Sequence, residues 1–176
     1  VKLFIVRDAA VGRFNDDWFV FDGERRIWVG KGNADPGRVG LNKALGLDYA
    51  RLLEGVWTLA PGRHKLRADQ FIEPRESQAA ALGLPLLYKP DDEHERYLGH
   101  VTIERMKNAT TVSRRSTGRP GINCHTSGSN SDTKTGSAGC LTLRDRDYTP
   151  FRDTTYLAMG TRTKTPRQRV LPLVLV

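Results

Sequence analysis

The chain has 176 residues, of which 38% are hydrophobic and 27% charged, a composition typical of a globular protein that predicts a single domain over residues 1–176. No apolar run approaches the ~18 residues that a membrane-spanning helix needs, which argues against membrane insertion. The net charge of +8 favours anionic polymers as partners, such as an acidic cell wall, but no basic platform interleaved with aromatic residues supports nucleic-acid binding.

The clearest local signal is a β-hairpin over residues 17–30. Apolar residues crowd both of its arms, and the dipeptide Asp22-Gly23 between them is typical of a tight hairpin turn. A glycine-rich stretch, residues 30–37, is predicted to follow the second strand. Three glycines near Lys31 also suggest a phosphate-binding loop, but the Gly-Lys-Ser/Thr of such loops is missing, so this idea has little support.

The middle of the chain predicts short strands and little helix. Apolar residues that follow the potential cap Asp48 predict a helix over residues 48–54. The polar and basic run 107–120 predicts a long loop that leads into the next strand. Strands are predicted at residues 56–59, 84–88 and 99–104.

The last part of the chain predicts a helix over residues 148–158, capped by Asp145 or Asp147, and a terminal strand over residues 170–176. Proline cannot donate to a strand ladder, so Pro172 predicts an edge position or a break in pairing. Because no alternating strand–helix pattern is present, we predict a mainly β fold. Its expected architecture is an antiparallel β-sandwich or barrel with one or two short peripheral helices.

Two residues with the chemistry of a catalytic pair lie near each other in the last third of the chain. His125 and Cys140 each lie at the edge of a short predicted strand, and a polar loop joins them. Such a loop lets the strand ends lie side by side, so that the imidazole takes the thiol proton and leaves a nucleophilic thiolate. Gly139 would leave room for a substrate carbonyl, and the N–H groups of Gly139 and Cys140 could bind an oxyanion. The alternative is a buried structural cysteine and a structural histidine.

Two cysteines do not make a disulfide framework, and both are predicted to be free. Neighbours on a strand point to opposite faces. If His125 faces Cys140, then Cys124 faces the interior.

Residues 121–125, Gly-Ile-Asn-Cys-His, and residues 137–140, Ser-Ala-Gly-Cys, resemble the active-site signature of the L,D-transpeptidase (YkuD-like) catalytic-domain family, in particular its phage and bacterial relatives. Members of that family remodel bacterial peptidoglycan through a cysteine acyl-enzyme. The resemblance implies the family's mainly β fold, Cys140 as the nucleophile and His125 as the base. It also implies that Thr126 is the position that orients the imidazole, and that the oxyanion and substrate contacts involve Asn123, Ser137 and Gly139.

Two positions depart from the family signature. Ala138 stands where the family has histidine, and Thr142 stands where it has arginine or asparagine. The family associates these positions with substrate and oxyanion contacts. The departures therefore argue against transpeptidation more than they argue against a reactive thiol.

The resemblance implies an enzyme that joins or hydrolyses peptidoglycan stem peptides, in the cell envelope or periplasm or delivered there. Residues 1–6 do not have the features of a signal peptide. The alternative is a non-catalytic cell-wall-binding or phage structural module with the same fold. We expect no cofactor, and the oligomeric state stays open. We expect no metal either, because the histidines have no close paired spacing; they are His64, His94, His100 and His125.

Overall fold

The computed structural model describes residues 1–37, 49–61, 66–67, 101–106, 111–118, 122–137, 139–160, 167–168 and 171–176. Within these ranges the protein is mainly β, as predicted, with eleven strands and one helix. The strands are Lys2–Val6 (β1), Asp16–Asp22 (β2), Arg25–Asn33 (β3), Tyr49–Leu52 (β4), Gly55–Pro61 (β5), Leu66–Arg67 (β6), Val101–Met106 (β7), Val112–Gly118 (β8), Asn123–Thr126 (β9), Leu141–Leu143 (β10) and Leu171–Leu175 (β11). The helix, α1, is Asp145–Met159.

Eight of the strands close into a barrel in the order β1-β11-β5-β6-β9-β10-β3-β2, with β2 paired back to β1. Most neighbours are antiparallel, but β1 and β11 are parallel, and so are β9 and β10. Closure leaves no unpaired edge within the ring, which is how barrels avoid edge-to-edge association.

A second, three-stranded antiparallel sheet has the order β4-β7-β8. Its buried side chains Leu52, Val101 and Ile103 belong to the same apolar cluster as Leu3 and Leu173 of the barrel. The two sheets therefore share one core. The predicted extent of the domain stays a prediction, because residues 68–100 lie outside the described ranges.

The predicted hairpin is confirmed as β2 and β3, with Gly23 in its turn at φ +60°. The following glycines, however, belong to β3. A Cβ on Gly32 would lie 2.3 Å from the indole of Trp18, and one on Gly30 would lie 2.4 Å from the indole of Trp28. Glycine is used at these two positions to admit large rings against the sheet. The first half of the glycine-rich stretch is thus a packing feature of a strand.

The predicted helix near the end of the chain is confirmed, and it begins earlier than expected, at Asp145. Phe151 attaches it to the barrel through edge-on contacts with Trp18 and Trp28, at centroid distances of 5.7 and 5.1 Å. The predicted aspartate cap is wrong, because Arg144 occupies the cap position. None of the helical structure in the described ranges is both long and apolar enough to cross a membrane.

The predicted helix over residues 48–54 is wrong, because residues 49–52 form β4. Ala50 and Leu52 are buried while Tyr49 and Arg51 are half-buried, which is the period of a strand. The predicted loop over residues 107–120 is wrong over residues 112–118, which form β8, whereas residues 107–110 and 119–120 lie outside the described ranges. Arg114 and Arg115 lie on β8, whose described side chains are largely exposed, and the buried side chains of the β7–β8 pair belong to β7.

The predicted strand at residues 56–59 is confirmed as β5, and residues 101–104 of the strand predicted at 99–104 are confirmed in β7. Residues 84–88 and 99–100 lie outside the described part of the chain. The terminal strand is confirmed as β11, and of the two outcomes predicted for Pro172 the edge position is wrong, whereas the break in pairing occurs, on the β1 side. β11 lies between β1 and β5. Pro172 is in register with Thr58 of β5, and the pairing with β1 begins one residue later, at Leu173.

We predict that Gly32→Ala destabilises the protein by roughly 2–3 kcal/mol, because an added methyl group in a filled core forces side chains or backbone to move. Lys31→Ala is the matched control. Lys31 is exposed, pairs with half-exposed Asp17 and donates to the exposed carbonyl of Asn15, so its loss should cost less than ~1 kcal/mol. Urea unfolding of both variants checks this. If the two variants lost equal free energy of unfolding, the indole of Trp18 would be able to move away from residue 32 at little energetic cost.

Candidate active site

His125 lies on β9, and Cys140 directly precedes β10, the strand that pairs with β9. β9 and β10 are parallel, with His125 opposite Thr142 and Cys124 opposite Leu141. Cys140 directly precedes β10, two positions before the residue opposite His125. A parallel pair needs a connection of about a dozen residues or more, and residues 127–140 provide it. The polar loop therefore returns the chain to the same end of the sheet and brings the thiol beside the histidine strand.

The two thiols lie in different surroundings. Neither cysteine forms a disulfide, Cys124 is fully buried in the apolar cluster, and Cys140 is half-buried. Burial raises the pKa of Cys124 far above its ordinary value, so this thiol stays protonated at neutral pH. Since only a thiolate reacts readily, Cys140 is the candidate nucleophile of the two.

The imidazole of His125 has a defined orientation. Its Nδ1 lies 2.6 Å from the backbone carbonyl oxygen of Thr126. A carbonyl oxygen only accepts hydrogen bonds, so Nδ1 carries the proton and Nε2 is the basic nitrogen of the neutral ring. This is the arrangement that the resemblance implies for Thr126.

The turn before Cys140 is held by its own hydrogen bonds. Ser137 Oγ donates to the carbonyl oxygen of Cys140 at 2.7 Å and accepts from the N–H of Gly139 at 3.0 Å. Ser137 is buried, and the structure gives its hydroxyl a role in shaping the turn. The N–H of Gly139 is already used inside the turn, so its expected oxyanion contact is not available in this structure. The contact predicted for the Cys140 N–H stays a prediction.

Gly139 is required for a reason that differs from the predicted one. It has φ +136°, and a Cβ built on it would lie 2.1 Å from the carbonyl oxygen of Ala50. The space that we expected a substrate carbonyl to fill is therefore occupied by the backbone of β4. The side chain of Asn123 and residue Ala138 lie outside the part of the structure that is described.

Residues 33–37, which are the end of β3 and the segment after it, form one wall of the site, which the sequence did not predict. Asn33 lies opposite Thr142, which lies opposite His125, so the three residues form a row across adjacent strands. Asn33 Nδ2 donates to the carbonyl oxygen of Asp35 at 2.6 Å, and the N–H of Gly37 donates to that of Ser137 at 2.7 Å. The segment is thus attached to the turn that carries Cys140.

Buried ion pairs hold residues 33–37 in place. Buried Asp35 lies 3.4 Å from Arg7 Nε and 3.2 Å from Arg51 Nε. Arg51 in turn lies 3.9 Å from Glu104, which accepts two hydrogen bonds from Arg115. Alternating charges therefore run from the end of β1 through β4 and β7 to β8. Burial raises the pKa of Asp35, and the two arginines oppose that shift.

Asp16 anchors the start of the same segment. Its carboxylate accepts the N–H of Asp8 at 2.8 Å and the N–H of Ala34 at 2.5 Å. Asp16 is almost fully buried, and burial raises its pKa to about 6 despite these two donors. The described residues contain no cluster of three or more His, Cys, Asp or Glu side chains that could hold a metal ion.

Comparison of the chain with protein-family models, with curated proteins and with solved structures gives no match. The resemblance to the L,D-transpeptidase family therefore depends on residues 121–143 alone.

We predict that Gly139→Ala destabilises the protein by at least roughly 2 kcal/mol more than Gly128→Ala. Both glycines have positive φ, but nothing lies within 4 Å of a Cβ on Gly128, whereas Gly139 meets a backbone carbonyl. Denaturant unfolding gives the two free energies, and alkylation of Cys140 reports whether the turn has moved. Similar losses for both variants would contradict the close contact.

We predict that the free energy of unfolding falls between about pH 4 and pH 6 in a way that Asp16→Asn removes. The folded protein keeps the Asp16 proton up to a pKa of about 6, while the unfolded chain releases it near its ordinary value of 3.8. Folded protein then binds more protons, so rising pH favours unfolding by at most roughly 3 kcal/mol. Urea titrations across this range test it. Parallel curves for the wild type and the variant would show that Asp16 titrates normally.

Proposed function

We propose that the protein is a cysteine-dependent enzyme with a fold of the L,D-transpeptidase type, which modifies peptidoglycan stem peptides through an acyl-enzyme. The observation that carries the proposal is the arrangement of His125 beside the strand that Cys140 precedes. The imidazole presents Nε2 as a base, and Cys140 is the less buried of the two thiols. The match of residues 121–125 and 137–140 to the family signature supports the choice of substrate.

The acylation step follows from these residues. His125 Nε2 takes the proton of the Cys140 thiol, and Sγ attacks the carbonyl carbon of a stem-peptide amide. The N–H of Cys140 is the proposed donor to the oxyanion. The tetrahedral intermediate then collapses, the C–N bond breaks, and Nε2 returns its proton to the leaving amine. A thioester on Cys140 remains.

Either an amine or water resolves the thioester. His125 accepts the proton of the attacking group and returns it to Sγ as the C–S bond breaks. An amine of a second stem peptide gives a cross-link, and water gives a shortened peptide. We favour hydrolysis, because Ala138 has only a methyl group where the family has an imidazole, and a less enclosed site admits water.

The net charge of +8 fits an enzyme that stays on an anionic cell wall, and we propose the cell envelope as its location. The alternative function is a non-catalytic cell-wall-binding or phage structural module. The departure at Ala138 favours it, because it removes an imidazole that the family uses on substrate.

We predict that a carbapenem, which acylates enzymes of this class, forms a covalent adduct at Cys140. We also predict that Cys140→Ala lowers the turnover of stem peptides at least about a thousandfold, because the variant has no nucleophile. Mass spectrometry with peptide mapping locates the adduct, and product analysis separates shortened peptides from cross-linked dimers. Cys124→Ala is the matched control, because it removes a buried thiol and should keep the adduct. A folded wild-type protein without adduct and without turnover would favour the non-catalytic module. Cross-linked dimers alone would contradict hydrolysis.

A further inference from the structure

The position of His125 depends on a residue that the sequence suggests only as a helix cap and that the family signature does not include. The ring is oriented by the carbonyl of Thr126, so whatever holds Thr126 also holds the base. The hydroxyl of Thr126 accepts from the N–H of Gly128 at 3.4 Å and donates to the carboxylate of Asp145. A carboxylate only accepts hydrogen bonds, so the direction of this last bond is defined.

Asp145 is well placed to act as an anchor. It is the first residue of α1, and its N–H donates to the carbonyl of Ser129 at 3.2 Å. Phe151, fully buried against two tryptophans, attaches the same helix to the barrel. A carboxylate in the first turn of a helix also lies at the positive end of the helix dipole. Asp145 therefore links a rigid element to the residue that orients the histidine.

We propose that Asp145 is a positioning residue for the base of the Cys140 site. It acts through the Thr126 hydroxyl, keeps the Thr126 carbonyl on Nδ1 and so keeps Nε2 available. This inference rests on the proposed role of His125 as base, and it does not depend on the substrate being peptidoglycan.

The chain offers a close control. Asp147 lies in the same first turn of α1, and its carboxylate pairs with Arg144 at 3.5 Å and Arg146 at 3.9 Å. Asp147→Ala removes a helix-dipole interaction of the same kind but does not change the contact to Thr126. A loss seen only in Asp145→Ala therefore cannot come from the helix terminus.

The test measures the pH profile of Cys140 alkylation by iodoacetamide, and the tautomer of His125 by ¹⁵N NMR, in the full chain. Asp145→Ala should slow alkylation at neutral pH about tenfold, shift the profile to higher pH and mix the two imidazole tautomers. Thr126→Val should do the same, and the double variant should be no worse, because both act through one hydrogen bond. Asp145→Glu should recover part of the rate, and Asp147→Ala should stay within twofold of the wild type.

Unchanged tautomer and profile in Asp145→Ala, or equal effects of Asp145→Ala and Asp147→Ala, would overturn the proposal. If Asp145→Ala fails to fold, Thr126→Val decides, since wild-type behaviour there removes the proposed route. Iodoacetamide needs no peptide site, so absence of turnover on stem peptides would count against the proposed function alone.

Discussion

The backbone of Gly139 lies so close to the carbonyl of Ala50 that no side chain fits between them. This contact joins the turn before Cys140 to β4, and therefore joins the barrel to the second sheet. The hydrogen bond from Gly37 to Ser137 holds the other side of the same turn. The position of the thiol is thus set by backbone packing from two directions. Because the reactive group is already held in place, no free energy is needed to order it when the reaction occurs.

A series of ion pairs also connects the two sheets near this turn. Two buried ions attract each other strongly, but removing them from water costs nearly as much, so such pairs add little net stability. Their distances do constrain position: Arg7 and Arg51 both contact Asp35, and Glu104 continues the series on β7. Apolar contacts are not directional and would allow small shifts between the sheets, whereas an ion pair is favourable in one relative position. The network is therefore suited to keeping the two sheets in register beneath the site.

Local patterns were enough to predict the hairpin, β5, β7, α1, and the pairing of the His125 strand with the strand that follows Cys140. These features depend on neighbouring residues in the chain, and so does the burial of Cys124, which follows from strand alternation. Predictions failed where distant residues decide the outcome. Residues 49–52 become a strand because β7 pairs with them, and Pro172 is accepted inside the ring because its pairing with β1 begins at Leu173. The reason for Gly139 lies in Ala50, which no spacing near the cysteine indicates.

The pairing of β11 with both β1 and β5 has a consequence for how the protein is made. During synthesis β1 emerges well before β11, and β2 can pair with β1 as soon as it follows. The other neighbour of β1, β11, emerges only after all the other described strands of the ring. Until then β1 and β5 each have an open edge, and long-range pairing of this kind is slow and prone to aggregation. Protection of the nascent chain matters most in the interval before the ring closes.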